Sequence, residues 1–172
     1  MVRRCLTLFL ILLGNLILQS TLFQLIRIRG IIPNTAIVIV VSVSLLRGRT
    51  EGALTGLVAG LLQDMFFGTS IGFYGFLGFL TGFFCGRANH NFYRENYLLP
   101  LLLCALSTWV YETIVYITGF FFRGDLNYLY FFSSLILPEV VYTAVLSLPI
   151  YRILFGINES LEERERHHRK LF

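Results

Sequence analysis

Apolar residues in this chain come in long unbroken runs rather than in the stripes of an amphipathic fold. The first run is uncharged over residues 5–26, 22 positions. At about 1.5 Å rise per helical residue, about 20 residues cross the roughly 30 Å hydrocarbon core of a bilayer. Further runs predict helices over residues 31–46, 50–67, 71–88, 97–122 and 131–155, giving about six membrane spans. Pro33 suits the opening of the second, where its missing N–H costs nothing. The Ile/Val-rich stretch 36–43 reads as a strand in water, and the lipid setting is expected to override that propensity. The short connection Phe67-Gly68-Thr69-Ser70 predicts a tight antiparallel hairpin of the third and fourth spans. Residues 126–130, with two tyrosines and an Asn, read as an interfacial segment.

Composition agrees with the pattern. Hydrophobic residues make up 56% of the 172, charged residues 14%, and mean hydropathy is +0.72. Soluble domains carry about 25% charged residues, so the expected fold class is an all-α polytopic membrane bundle. The first run is longer than a signal-peptide core and no small-residue cleavage site follows it, so a retained first span is expected. With the N-terminus inside, the inner segments hold Arg3, Arg4, Arg47, Arg49, Arg87, Arg94, Arg152, Arg164, Arg166, Arg169 and Lys170. The outer segments hold only Arg27, Arg29 and Arg123, a bias of 11 to 3 that places both termini in the cytoplasm. Residues 1–157 then form the transmembrane domain, and 158–172 a densely charged cytoplasmic tail in which Glu162 and Arg166 are spaced to pair. The net charge of +4 suits anionic membrane lipid, and no basic patch interleaved with aromatics suggests nucleic acid.

Candidate chemistry is sparse. Cys5, Cys85 and Cys104 lie far apart, without zinc-type spacing, and His90, His167 and His168 fall outside the apolar runs, so no metal or cofactor is expected. No Ser/His, Gly-x-Gly-Asp or HExxH constellation of an intramembrane protease is present, so no catalytic residue is assigned. Two glycine ladders stand out: Gly52, Gly56 and Gly60 on the third span, and Gly78, Gly82 and Gly86 on the fourth. Small residues at every fourth position let backbones approach closely, either within this protein or against a partner's helix. Asp64, Glu112 and Glu139 lie inside spans, each estimated to sit in the outer half of the membrane, where charge facing lipid is costly. They are expected to line one outer polar region or partner contact, with Gln63, Thr108, Tyr111, Tyr116, Tyr142, Asn15 and Gln19 as available neighbours. Structural hydrogen bonding, a polar cavity and proton transport all remain open. A structural role predicts that amide replacements of the three acids preserve the fold. Pro138 is expected to kink the sixth span, with a further bend at Pro149.

The stretch Gly56-Leu-Val-Ala-Gly-Leu-Leu-Gln-Asp64-Met-Phe-Phe-Gly68-Thr-Ser-Ile-Gly72, with Leu137-Pro138 in the last span, resembles the MreD family of bacterial rod shape-determining membrane proteins. Family members often carry an Asn about five residues after that proline, where this chain has Thr143. The resemblance implies a non-enzymatic scaffold of the cell-elongation machinery in the bacterial cytoplasmic membrane. The implied partners are an MreC-like single-pass protein and, through it, MreB, a glycan polymerase and a class B penicillin-binding transpeptidase. It also implies a fold similar to the substrate-binding subunits of energy-coupling-factor vitamin transporters. In the alternative reading taken from that fold, Trp109, Tyr111, Glu112 and Tyr116 would hold a vitamin.

Overall fold

A computed structural model describes residues 2–25, 30–67, 72–91, 98–119 and 128–169. Within them the fold is all-helical: α1 (Val2–Leu25), α2 (Thr35–Arg47), α3 (Arg49–Phe67), α4 (Phe73–Cys85) with a 3₁₀ continuation (Gly86–Asn91), and α5 (Leu98–Gly119). The short α6 (Tyr128–Phe131) runs through a π-helical turn (Phe132–Ile136) into α7 (Leu137–Arg169). Residues 68–70, Arg27, Arg29, Arg94, Arg123 and the start of the segment 126–130 lie outside the described residues. So do the side chains of His90, His167, His168, Glu162 and Arg166.

α2 is the centre of the bundle, packed against α3, α4, α5 and α7. Every residue from Thr35 to Leu45 is buried. A helix that is apolar all round needs apolar surroundings on all sides. Here protein supplies them: Ile37, Val38, Val41 and Leu45 pack with Leu77, Cys104 and Tyr111, while Ile39, Val40 and Val43 pack with Leu12, Ala59 and Leu154. The Ile/Val run is therefore helical inside the protein rather than against lipid. Pro33 precedes the helix, and Asn34 caps it, its Oδ1 accepting the Ile37 N–H at 3.4 Å. At the other end, Gly48 alone separates α2 from α3, at φ +89°, a conformation strained for any side-chain-bearing residue.

The remaining helices are built inside out relative to a soluble bundle. On α5 the exposed apolar positions include Leu98, Leu102, Leu106, Trp109 and Val110, while Thr108 and Tyr111 face inward with Cys104. On α7, Leu137, Val141, Val145 and Leu148 face outward, and Thr143, Ser147 and Tyr151 are buried. Three inward hydroxyls are satisfied locally: Ser42 donates to the Val38 carbonyl (2.6 Å), Thr108 to the Cys104 carbonyl (2.8 Å) and Ser147 to the Ala144 carbonyl (2.6 Å). An apolar exterior around a hydroxyl-bearing interior is the arrangement hydrocarbon surroundings favour. Among the described residues, two helices are long and apolar enough to cross a membrane, Leu98–Gly119 and Tyr128–Ser160; Leu6–Thr21 and Thr35–Arg47 are shorter apolar stretches.

Pro138 acts upstream of itself. The wide turn at Phe132–Ile136, closed by the Leu137 N–H on the Phe132 carbonyl, precedes the proline and relieves the contact its ring makes with the preceding turn. The helix begins at Tyr128, so part of the segment read as interfacial is helical. α7 continues through Pro149 and beyond residue 158 without a break. At that level Arg47 ties three helices together: its Nε donates to Asn158 Oδ1 of α7 at 2.6 Å, and its Nη1 to Glu51 Oε2 of α3 at 3.1 Å. The arginine side chain is only 7% exposed. Replacing it by Met keeps the apolar stem and removes the fork. The expected loss is about 1–2 kcal/mol, discounted because Glu51 is half in water. Arg47→Lys, a point donor that cannot serve both partners, is expected to fall between. Thermal unfolding in detergent checks the order.

Candidate functional site

The two glycine ladders face each other. α3 and α4 form the most extensively packed pair of the fold, running antiparallel. A Cβ added to Gly56 would meet the Gly78 carbonyl oxygen, and one added to Gly78 would meet the Gly56 carbonyl. A Cβ on Gly82 would meet the Gly52 carbonyl, and one on Gly60 the Tyr74 carbonyl. Gly52 itself also lies against the Ser44 side chain of α2. Gly86 falls beyond α4, in the 3₁₀ turn, where its backbone approaches Gly48 and Arg49. Bare backbone against bare backbone is what the four-residue spacing provides.

Asp64 closes this hairpin at its far end. It is 3% exposed in the last turn of α3. Its Oδ1 accepts the Tyr74 N–H at 3.0 Å, and its Oδ2 accepts the N–H groups of Gly72 at 2.9 Å and Gly75 at 3.0 Å. The first N–H groups of any helix lack intrahelical partners and normally take a side-chain cap. The α4 cap is Gly72, left-handed at φ +97°, which has no side chain to offer. Asp64 supplies the cap from the neighbouring helix, and the positive end of α4 favours its carboxylate. No cation is needed to hold this charge.

Glu112 and Glu139 form a separate cluster. Their side chains hydrogen-bond each other across α5 and α7, and Glu112 also bonds the Asn34 side chain. Asn34 Oδ1 serves the α2 cap, so its Nδ2 is the donor to Glu112. The Asn34 backbone N–H donates to Thr143 Oγ1 of α7 at 3.2 Å. One residue at the start of α2 thus ties α5 to α7. Beside it lies a cavity of about 150 Å³ lined by Gln19, Asn34, Gln63, Tyr74, Tyr111, Glu112 and Val115. The Tyr111 hydroxyl donates to Gln63 Oε1 at 3.2 Å.

Of the expected outer acids, Asp64 is taken up by the hairpin, while Glu112 and Glu139 meet at the α2 cap, and Tyr111 lies within electrostatic reach of all three. Of the expected neighbours, Gln63, Tyr111 and Gln19 line the cavity. Thr108 bonds its own helix, and Tyr116 packs its ring on Tyr128 and Phe131, 5.5 and 4.6 Å between centroids. Asn34 and the backbone N–H groups of Gly72, Tyr74 and Gly75 were not singled out in the sequence, and Thr143 stood there only as a departure from the family pattern. Only Asn34 carried a signal, as Pro-Asn-Thr ahead of an apolar run. Cys85 and Cys104 are free, buried thiols, Cys85 Sγ lying 3.1 Å from Ser107 Oγ. Among the described residues, no group of three His, Cys, Asp or Glu is placed to hold a metal.

The family model of the rod shape-determining protein MreD matches residues 2–159. The chain belongs to the MreD family. No curated protein and no solved structure gives a significant match. MreD proteins are membrane proteins of the rod shape-determining system, a family of structural rather than catalytic character. In this MreD family member the glycine ladders and the signature aspartate belong to one device, the α3–α4 hairpin. The vitamin-binding alternative finds no support. The cavity is well under the roughly 300–1,000 Å³ of small-molecule sites, Trp109 is 43% exposed on the outer face of α5, and Tyr116 does not line the cavity.

Proposed function

We propose that the protein is a non-enzymatic membrane scaffold of the bacterial cell-elongation complex. In this reading it binds an MreC-like single-pass protein and through it helps couple MreB filaments to the glycan polymerase and the class B penicillin-binding transpeptidase. The observation that carries the proposal is how the interior polar groups are used. Asp64 is taken up by three backbone donors, and the Glu112–Glu139 pair bridges helices through Asn34, so both clusters hold the bundle together. Family membership supplies the biological setting. Isolation of the tagged protein from membranes in mild detergent, followed by mass spectrometry, tests the partner. A single-pass elongation protein is expected at comparable abundance, and its absence would remove the proposal.

The same reading takes the chain as a six-span protein of the cytoplasmic membrane with both termini inside. The 11-to-3 distribution of Lys and Arg and the apolar exterior support it. Reporter fusions after Phe155 are expected to be active only on the cytoplasmic side; activity only outside would overturn the topology.

A further inference from the structure

The cavity beside Glu112 has a lining that the scaffold role does not require. It has room for about five waters at ~30 Å³ each. Its walls bring a carboxyl group and three amide side chains, Gln19 of α1, Asn34 at the start of α2 and Gln63 of α3, against the rings of Tyr74 and Tyr111. Those rings stack, with centroids 6.1 Å apart and planes within 15°. The bonding inside leaves acceptors open. Gln19 Oε1 is buried with no hydrogen-bond partner, and Gln63 Oε1 receives one hydrogen of the two it can take.

Charge is unbalanced in the same sense. A hydrogen bond between two carboxyl groups uses one proton, which leaves the Glu112–Glu139 pair room for one negative charge. Two described arginines on the cavity's helices stand at the far ends: Arg47 closes α2, whose start lies at the cavity, and Arg49 opens α3, whose Gln63 lies near its far end. We infer that the cavity takes a primary ammonium group, held by the Glu112 carboxyl and the Gln19 and Gln63 amide oxygens, with the tyrosine rings as its apolar wall. Three N–H donors on a compact cation match converging oxygens, and aromatic faces add attraction. The group belongs either to a soluble small amine or to the ethanolamine head of a phospholipid, since the cavity lies in the half of the bundle assigned to the outer leaflet. The proposal goes beyond the scaffold reading and stands without it.

Thermal unfolding of the full-length protein in detergent, at constant ionic strength, reads the site. Saturating ethylammonium chloride is expected to raise the midpoint by about 5 °C over sodium chloride. Ethanol, the neutral analogue, and tetramethylammonium, which has no N–H, are expected to leave it unchanged. Glu112→Gln keeps the inter-helix bonds and is expected to lose the response; Gln19→Leu, away from the carboxyl pair, is expected to weaken it several-fold. Reconstitution separates the sources: a response abolished in phosphatidylethanolamine bilayers but kept in phosphatidylcholine assigns the lipid head group, and a response kept in both assigns a soluble amine. No rise with ethylammonium, an equal rise with ethanol, or a full rise in Glu112→Gln would each overturn the inference.

Discussion

Gly56→Ala, the addition of one methyl group, is expected to cost this protein a large part of its stability. The new Cβ would overlap the carbonyl oxygen of Gly78, a backbone atom that cannot rotate aside. The hairpin must part along its length, and the neighbouring contacts Gly60–Tyr74 and Gly82–Gly52 loosen with it. Overpacking of a rigid site costs about 1–3 kcal/mol, a fall of several degrees in midpoint for a chain of this size. Gly56→Leu is expected to yield no folded protein. Gly14 is the control: a Cβ there meets nothing within 4 Å, so Gly14→Ala should be neutral or slightly stabilising through helix propensity. Monodispersity and midpoint of the three variants in detergent check the order. A Gly56→Ala protein as stable as Gly14→Ala would mean that α3 and α4 are not in backbone contact.

Asp64 variants carry the second large effect, and here the geometry revises the expectation that an amide substitutes for the acid. The carboxylate only accepts, and all three of its partners are N–H donors. An Asn at 64 keeps one oxygen. If that oxygen serves Gly72 and Gly75, the new NH₂ faces the Tyr74 N–H, donor against donor. One buried donor is then left unmet, at about 1–3 kcal/mol, whereas Asp64→Leu leaves all three unmet at roughly three times that. The expected order of midpoints is wild type, Asn, then Leu, each step several degrees. The Glu112–Glu139 pair behaves differently, because an amide NH₂ at either position replaces the shared proton as donor. Glu112→Gln and Glu139→Gln are therefore expected to keep midpoints near wild type.

These differences mark what the sequence made legible. The ladders were readable because a spacing of four is a helix face. Their destination was not, since glycines at 52, 56 and 60 serve a foreign helix as well as α4. Asp64 was visible as a costly acid, but its partners are main-chain N–H groups, which every residue type except proline carries. α2 was readable as apolar and helical. Its burial was not, because a helix apolar all round looks the same whether lipid or protein surrounds it. Pro138 announced a disturbance, while the π turn that absorbs it lies at Phe132–Ile136, where Phe-Ser-Ser-Leu-Ile carries no mark of it. The Glu112–Asn34–Thr143 junction joins residues about 80 and 109 positions apart in the chain, a distance that no local pattern spans.

The central claim is that the interior acids hold helices together and do not relay protons. Cell shape in a strain whose only copy bears Glu139→Gln tests it most directly, read together with the amount of protein and of its single-pass partner isolated from the membrane. The account predicts rods, with protein and partner at wild-type levels, because the amide keeps the bond to Glu112. Round cells that still contain folded, partner-bound Glu139→Gln protein would contradict it, since Glu112 and the cavity it lines are untouched and only the ability of residue 139 to ionise would then have been lost.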